Sequence, residues 1–412
     1  MSEQSKSGAL AGIRVLDMSR ILAAPWVGQL LADLGAEVIK IERPGTGDDT
    51  RGWGPPFLKD RDGKDTRESA YFLSTNRGKK SVTLDISKPE GQKIARELAD
   101  RSDILLENYK VGDLKRYGLA YDDLSARNPA LIYCSVTGFG QTGPYSERAG
   151  YDYIIQGMGG LMSITGERDE APGGGPQRVG VAIADLMTGM YSSVAILAAL
   201  HERKASGLGQ YIDMALLDTQ VAWLANQNMN YLIGGEVPER LGNAHPNVVP
   251  YQPFPTRDGH LILACGNDTQ FAKFCAAAGI PEVASDPRFI DNAARLANRD
   301  ACSAALAPAL KKKTTAEWIA LLESIGVPGG PINRLDEVYA DPQVRHRGLK
   351  IELPHPLSGT VPLVANPIKY SRTPLRYNTP PPLLGEHTAE VLTGLLAMSD
   401  AELEALRAKK II

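Results

Sequence analysis

Three neighbouring stretches decide the fold: Ile13-Arg-Val-Leu-Asp-Met18, Trp26-Val-Gly-Gln-Leu-Leu-Ala-Asp-Leu34 and Glu37-Val-Ile-Lys-Ile-Glu42. The first and third are short apolar runs of strand length. The second carries apolar residues at helical spacing, begins behind Pro25 at a first-turn position and stops at Gly35. Strand, helix and strand joined by a few residues make a βαβ unit, with parallel strands and a right-handed crossover. The pattern recurs. Ser81–Asp85 reads as a strand, and Ser87-Lys-Pro-Glu90 as a capping box that opens a helix running to about Ala99. Asp103–Glu107 and Leu131–Val136 supply further strands, with two short helical pieces between them. This alternation predicts a doubly wound, mostly parallel α/β sheet of Rossmann type.

Beyond these strands, Thr137-Gly-Phe-Gly-Gln-Thr-Gly-Pro144 is a Gly-rich turn, and Ala149–Gln156 opens a helix that Gly157–Gly160 ends. Val179-Gly-Val-Ala-Ile-Ala-Asp-Leu-Met-Thr-Gly189 is almost wholly apolar around one carboxylate, Asp185. Leu186–Leu200 reads as an Ala/Leu-rich helix, so Asp185 falls at or beside its N-terminus, where free N–H groups and the helix dipole favour an anion. Two readings stand. Asp185 is an N-cap, or it is a carboxylate nucleophile that the helix end keeps ionised in a water-poor pocket.

Gly207-Leu-Gly209 leads into a strand at Gln210–Leu216. The large domain's first part is read as 1–217, followed by a linker at 218–233 and a smaller α+β domain at 234–335. That domain begins with a Gly/Asn/Pro-rich loop to Pro255, long enough to suggest function. A strand at His260–Ala264 and helices near Gln270–Ala278, Asp300–Leu310 and Thr315–Ser324 follow. The last is opened by the capping box Thr314-Thr-Ala-Glu317 and closed by Gly326. Residues 336–412 return to complete the large domain. They are strand- and Pro-rich through Ile351–Ile368, then helical at Ala389–Ala397 and at Ala401–Lys409, which follows the cap Ser399-Asp-Ala-Glu402.

Composition excludes several function classes. A chain of 412 residues is too long for one core, and 43% hydrophobic with 23% charged residues is ordinary for a soluble globular protein. A net charge of −3 offers no footprint for nucleic acid or an anionic membrane. No apolar run reads as a bilayer span, since Thr188, Gly189, Ser192 and Ser193 interrupt Leu186–Leu200. The first residues, Met1–Ser7, lack the apolar core of a signal peptide. Cys134, Cys265, Cys275 and Cys302 are far apart, without CxxC spacing or nearby His pairs. They read as reduced, buried thiols and point to a cytoplasmic setting with no metal site. The first βα turn, Ser19-Arg-Ile-Leu-Ala-Ala-Pro25, holds no GxGxxG, and no Walker A sequence occurs, which disfavours NAD and NTP chemistry.

Cations gather near strand ends: Arg43, then Arg77 with Lys79 and Lys80, then Lys110 with Lys115 and Arg116. Any one of them reads as a solvated surface charge. Three clusters at one sheet edge suit a phosphate-bearing, nucleotide-like ligand, with Asn108-Tyr109 adding an amide and an aromatic face.

Taken as an ordered set, these residues resemble the family III CoA-transferases, the group of formyl-CoA transferase, carnitine CoA-transferase and the succinyl-CoA:glutarate enzymes. The marks are Val15-Leu-Asp17, Leu34–Gly45, Glu107-Asn108, Gly138–Pro144, Ala184-Asp185 with Gly189, Gly242–Pro250 and Pro382-Leu-Leu-Gly-Glu-His-Thr388. The resemblance implies a nucleophilic Asp185 and CoA contacts at Arg43, Asn76, Lys80, Asn108, Tyr109 and Arg116. It also implies a substrate pocket and lid involving Tyr151, Gly242, Asn243 and His245. Coenzyme A then enters as the acyl-CoA substrate, a carboxylic acid is the acceptor, and two chains interlink as a homodimer. One departure stands out. Where formyl-CoA transferase has a glutamine near the acyl group this chain has Leu22, which points away from formyl or oxalyl substrates and toward the dicarboxylate branch. Arg148, Arg178, Arg240 and His245 are the basic residues able to neutralise a distal carboxylate.

The alternative of the same fold is an α-methylacyl-CoA racemase, which pairs a His in a Gly-His-Asp segment with the aspartate at the Asp185 position. Here that segment is Gly150-Tyr151-Asp152. A phenol, with a reference pKa of about 10, is a poor partner for two-base chemistry near neutrality.

Overall fold

The protein is described by a computed structural model over residues 8–412. The stretch Met1–Ser7, on which the lack of a signal-peptide core was read, lies outside the described residues. Two compact units emerge. One comprises the chain up to Leu161, Val179–Asn228 and Arg345–Ile412; the other comprises Met162–Arg178 and Met229–Val344.

In the larger unit, six strands among the described residues form one sheet: β1 (Arg14–Asp17), β2 (Glu37–Glu42), β3 (Lys79–Thr83), β4 (Ile104–Glu107), β5 (Ile132–Thr137) and β6 (Tyr211–Ala215). Their order is β3-β2-β1-β4-β5-β6, and every neighbouring pair is parallel. This is the doubly wound order that the βαβ pattern predicts. The central strands β4 and β5 are mostly apolar because both faces are covered. Alternation sends Val15, Val38, Ile104 and Ile132 to one core, with helix α1 (Ala23–Asp33). Leu16, Ile39, Val82 and Leu105 face the other, against helix α2 (Pro89–Ala99). The order reverses between β1 and β4, so the crevice beyond the carboxyl ends of those strands is where this architecture binds ligands.

Helix α3 (Asp152–Met158), helix α4 (Ile183–Ser206) and helix α5 (Leu216–Ala222) follow. Helix α4 runs two turns beyond the expected end at Leu200, because His201-Glu-Arg-Lys-Ala-Ser206 continue it to a left-handed stop at Gly207. At 24 residues and a mean hydropathy of 1.6 over its most apolar window, it is long and apolar enough to cross a membrane, contrary to the sequence reading. Ala184, Ile196, Ala199 and Leu200 on one face pack into the core beside α1. A side chain at Gly189 would come within 2.8 Å of the Ala23 carbonyl, so this glycine lets α1 and α4 meet backbone to backbone.

In the smaller unit, β7 (Tyr251–Pro255), β8 (His260–Ala264) and β9 (Gly329–Pro331) form an antiparallel sheet in the order β9-β8-β7. Helices α6 (Asp268–Ala277), α7 (Arg299–Leu310) and α8 (Thr315–Ile325) close its core around buried Trp318, Phe271 and Phe274. The four cysteines are buried and unbonded. The chain then returns through the hairpin β10 (Lys350–His355) and β11 (Gly359–Val364) to helices α9 (Thr388–Leu396) and α10 (Asp400–Ala408). Val391, Leu392, Leu403 and Ile411 join the core beneath β3.

Several expectations are corrected. Residues 162–178 belong to the smaller unit, where Arg240 donates to the carbonyls of Ser163 and Glu167 and pairs with Asp169. The 218–233 segment, read as a linker, is largely helical: α5 and a second helix, Asn226–Gly234, occupy most of it. Ser87 does not cap α2: its hydroxyl donates to Asp85 at 2.6 Å, and Lys88 is the N-cap before Pro89. The boxes at Thr314–Glu317 and Ser399–Glu402 form as read.

Candidate active site

Asp185 is the third residue of α4, and the helix carries no side-chain cap from its own N-cap, Ala182. The N-cap reading is therefore corrected. Capping comes from Asp152, whose Oδ1 accepts the N–H groups of Ala184 at 2.8 Å and Asp185 at 3.4 Å. Gln156 Nε2 donates to the other Asp152 oxygen at 2.7 Å, while its own carbonyl oxygen accepts the Val179 N–H at 2.9 Å. Asp152 reaches this position because Gly138 and Gly150 let two backbones touch; a Cβ on either would lie 2.4 Å from the other's Cα. With Asp152 occupying the capping role, the Asp185 carboxylate is free for other work.

Among the described residues, no group donates a hydrogen bond to that carboxylate. Burial and the charge of Asp152 push its pKa up to about 7. The helix end thus does not hold it strongly ionised, as the sequence suggested, because desolvation and a second carboxylate outweigh the helix dipole. Tyr71, stacked edge-on against Trp53 at 5.1 Å, feels the same pair of carboxylates, which together with burial raise its phenol to about 12. No sequence signal marks Tyr71.

Asp185 lines a cleft of about 310 Å³ with Leu22, Thr137, Arg148, Tyr151 and Asp152 among its walls. A second cleft of about 410 Å³ is lined by Arg43, Ser87, Arg116 and Tyr117. Arg20, Tyr109 and Asp113 line both, so the two share one seam at the switch point between β1 and β4.

The seam rests on buried charges. Asp17 pairs with Lys79 at 2.9 Å, and Lys40 pairs with Asp48 at 2.9 Å; all four side chains are fully enclosed. Lys40 holds the Asp48 carboxyl down to about 2, whereas burial pulls Lys79 down to about 8. These groups tie down the first βα turn. Asp17 accepts the Ser19 N–H, Lys40 donates to the Ser19 carbonyl, and Asp48 accepts the Ile21 N–H. Asn108 takes Arg20 from both sides, accepting its N–H at 2.9 Å and donating to its carbonyl at 2.7 Å. Ile21 is held at φ +74°, a left-handed conformation costly for a β-branched residue.

The profile of CoA-transferase family III matches residues 10–388. The succinate–glutarate CoA-transferase of Agrobacterium fabrum is 53% identical over 94% of this chain and 95% of that enzyme. The human succinyl-CoA:glutarate CoA-transferase is 43% identical over the whole chain and 91% of its own length. The chain is a family III CoA-transferase. A crystal structure of a CAIB/BAIF family protein from Brucella suis superposes with a TM-score of 0.83 at 50% identity, covering 94% of this chain and all of that one.

In this CoA-transferase the expected site residues divide. Arg43, Asn108, Tyr109, Arg116, Tyr151 and Asp185 line the two clefts. Asn76 and Lys80 do not. Asn76 is fully buried, its carboxamide bonded to the Phe72 carbonyl, Thr75 and Lys79. Lys80 pairs with Glu37 and Glu390. Asn76 precedes β3 and Lys80 is its second residue, so both sit at the amino edge of the sheet, where β2 begins with Glu37, and ligands bind at the opposite edge. Asn108 has both ends of its amide committed to Arg20, so it shapes the turn. Gly242, Asn243 and His245 belong to the smaller unit. There Gly242 holds φ +58° against Glu167, and His245 accepts the Asn247 N–H and stacks on Tyr251. Of the four bases considered for a distal carboxylate, Arg148 lines the cleft, 4.6 Å over the Tyr145 ring. Arg20 was missed, although it stands in the turn whose lack of glycines was noted.

Glu107 was also passed over as more than a family mark. It ends β4, accepts the Tyr109 N–H at 2.8 Å, and is raised to about 7 by burial. It supports the Asn108-Tyr109 corner from below.

Proposed function

We propose that the enzyme moves CoA from a dicarboxylyl-CoA such as succinyl-CoA to a dicarboxylic acid, with Asp185 as the covalent carrier. The observation that carries this reading is the pair of joined clefts: a half-buried carboxylate to which no described residue donates a hydrogen bond in one, Arg43 and Arg116 in the other, and a shared seam between them. The nucleotide end of CoA lies against the arginines and the thioester reaches Asp185.

In the reaction, the Asp185 carboxylate attacks the thioester carbonyl and the C–S bond breaks, giving an acyl–aspartyl anhydride and CoA thiolate. The thiolate attacks the aspartyl carbonyl, releasing the donor carboxylate and leaving an aspartyl–CoA thioester. The acceptor carboxylate attacks that thioester to form a new anhydride and thiolate. Attack of the thiolate on the acceptor acyl carbon then regenerates Asp185. No proton is needed at any step, which suits a site lined by Leu22, Ala23, Val136 and Leu216. With no hydrogen-bond donor on the resting carboxylate among the described residues, its oxygen stays nucleophilic, and backbone N–H groups of the Gly-rich turns are the donors available to the developing oxyanions.

Leu22 is 7% exposed and cannot hydrogen-bond a very small polar acyl group, whereas Arg148 can meet a distal carboxylate. The succinate–glutarate and succinyl-CoA:glutarate enzymes to which the chain is similar point the same way. The large unit also exposes Tyr153, Ile154 and Met158 on α3 and Met190, Tyr191, Val194 and Leu197 on α4, an apolar surface that a second copy of the chain covers in a homodimer. The test is a donor–acceptor screen on purified protein. Succinyl-CoA with glutarate or a similar diacid should outperform formyl-CoA with oxalate; oxalate as the best acceptor would overturn the substrate assignment.

A further inference from the structure

We infer that Arg20 clamps the diphosphate of CoA, exchanging a resting ion pair with Asp49 for the ligand. The inference rests on the CoA-binding reading above and adds a residue that the sequence resemblance did not supply.

Doubly wound folds ordinarily cradle a diphosphate on the backbone N–H groups of the first βα turn. Here the first three donors of the turn are spent. The N–H groups of Ser19, Arg20 and Ile21 go to Asp17, Asn108 and Asp48 respectively. Two of these acceptors are fully buried carboxylates locked by lysines, so an incoming phosphate cannot displace them. A phosphate that lies beside residues 19–21 is therefore met by a side chain rather than by their backbone. Arg20 is the cation the turn presents there, and it lines both clefts.

Its present contacts are those of a group awaiting a ligand. Nη1 pairs with Asp49 at 3.0 Å, with both side chains 40–50% exposed, so the pair is weak and easily exchanged. Nε is buried and has no hydrogen-bond partner. The guanidinium lies 5.6 Å from the centre of the Tyr109 ring, which limits its swing. Nε and Nη2 share one edge of the guanidinium, which the Nη1–Asp49 contact leaves uncommitted, and that two-pronged edge is the one phosphate oxygens fit. Asp49 lines the Arg43–Arg116 cleft and not the Asp185 cleft, which places the Arg20 charge on the nucleotide side of the seam. Between a nucleotide on that side and a thioester at Asp185, the diphosphate is the anionic portion that crosses here.

The backbone clamp explains the strain at Ile21. Asn108 and Asp48 hold residues 20 and 21 in a conformation that aims the arginine at the seam, so the buried Lys40–Asp48 pair is part of the ligand site's support.

Equilibrium binding of CoA and of adenosine 3′-monophosphate, which lacks both phosphates of the diphosphate and the pantetheine arm, tests the assignment in wild type, Arg20→Gln, Arg20→Lys and Asp49→Asn. Arg20→Gln should weaken CoA by tenfold or more and the monophosphate by less than threefold. Arg20→Lys should fall between, because it keeps charge without the fork. Asp49→Asn, which frees Arg20, should tighten CoA two- to fivefold, and it carries the test alone if Arg20→Gln fails to fold. CoA affinity unchanged in Arg20→Gln, equal losses for both ligands, or weaker CoA binding in Asp49→Asn would each overturn the inference. Failure of the wild type to bind CoA would instead overturn the CoA-site reading on which it rests.

Discussion

Asp152 accepts the backbone N–H of Asp185 at 3.4 Å, so the residue that caps the helix and the residue at the reactive position are two different carboxylates. The first anchors α4 and the second, four residues before the glycine that lets α4 touch α1, is left in the cleft. Their proximity sets the electrostatics of the reaction: the charge of Asp152 adds to burial in lifting Asp185 to about 7.

A pH dependence follows. Asp185 must be ionised to attack, so kcat/KM for the acyl-CoA donor should climb about tenfold per unit below pH 7 and level off above it. Asp152→Asn removes the neighbouring charge while keeping an oxygen for the helix cap, so the midpoint of that rise should move to lower pH. A pH–rate profile of the two proteins checks this. An unshifted midpoint would show that the pair is not electrostatically coupled.

Asn108 should behave as a positioning residue. Asn108→Ala leaves the N–H and carbonyl of Arg20 without their partners beside a strained Ile21. Chemical denaturation should show a loss of about 1–3 kcal/mol, and calorimetry should show weaker CoA binding at once. A variant of full stability with weakened binding would instead mark Asn108 as a direct contact.

Arg43 has no ion-pair partner among the described residues, whereas Arg116 is paired with Asp113 at 3.0 Å. Replacing either with Ala should weaken CoA binding, more at low salt than at high salt, with the larger loss for Arg43, whose charge is not shared. Titration of both variants at two ionic strengths measures this, and an unchanged dissociation constant in both would place the nucleotide elsewhere.

The apolar faces of α3 and α4 predict a dimer with an interface beyond the common range of about 1,200–2,000 Å². Native mass measurement should give twice the chain mass, and Val194→Asp, at a position 62% exposed, should lower it. A stable, active monomer would contradict the prediction.

The doubly wound core was legible because period and length agree along it. Glu37–Glu42 was bounded to the residue, since apolar content, strand length and Gly35 all point to one answer. The site was legible only in part. Lys80 was grouped with Arg43 by strand proximity, although the first residues of a parallel strand and those after its end sit at opposite edges of the sheet. Asn108 looked like a ligand contact, because sequence shows a polar residue at a strand end but not the Arg20 backbone it grips. Asp185 looked like an N-cap because helices favour Asp there, and nothing local revealed that Asp152, thirty-three positions upstream, already fills that role. Long-range side-chain-to-backbone bonds carry no periodicity, so they leave no trace in the sequence.

The central claim is that Asp185 forms a covalent bond to the acyl group and then to CoA. The direct measurement is to incubate the enzyme with succinyl-CoA, add hydroxylamine or borohydride, and map the modified peptide by mass spectrometry alongside the transfer rate of Asp185→Asn. Because Asp152 provides the cap, Asp185→Asn should fold and bind CoA nearly as the wild type does, while transfer falls by several orders of magnitude. The trapped adduct should map to the peptide containing Asp185 in the wild type and vanish in the variant. A folded Asp185→Asn enzyme that keeps most of its transfer rate, with no adduct on the wild-type peptide, would contradict the account.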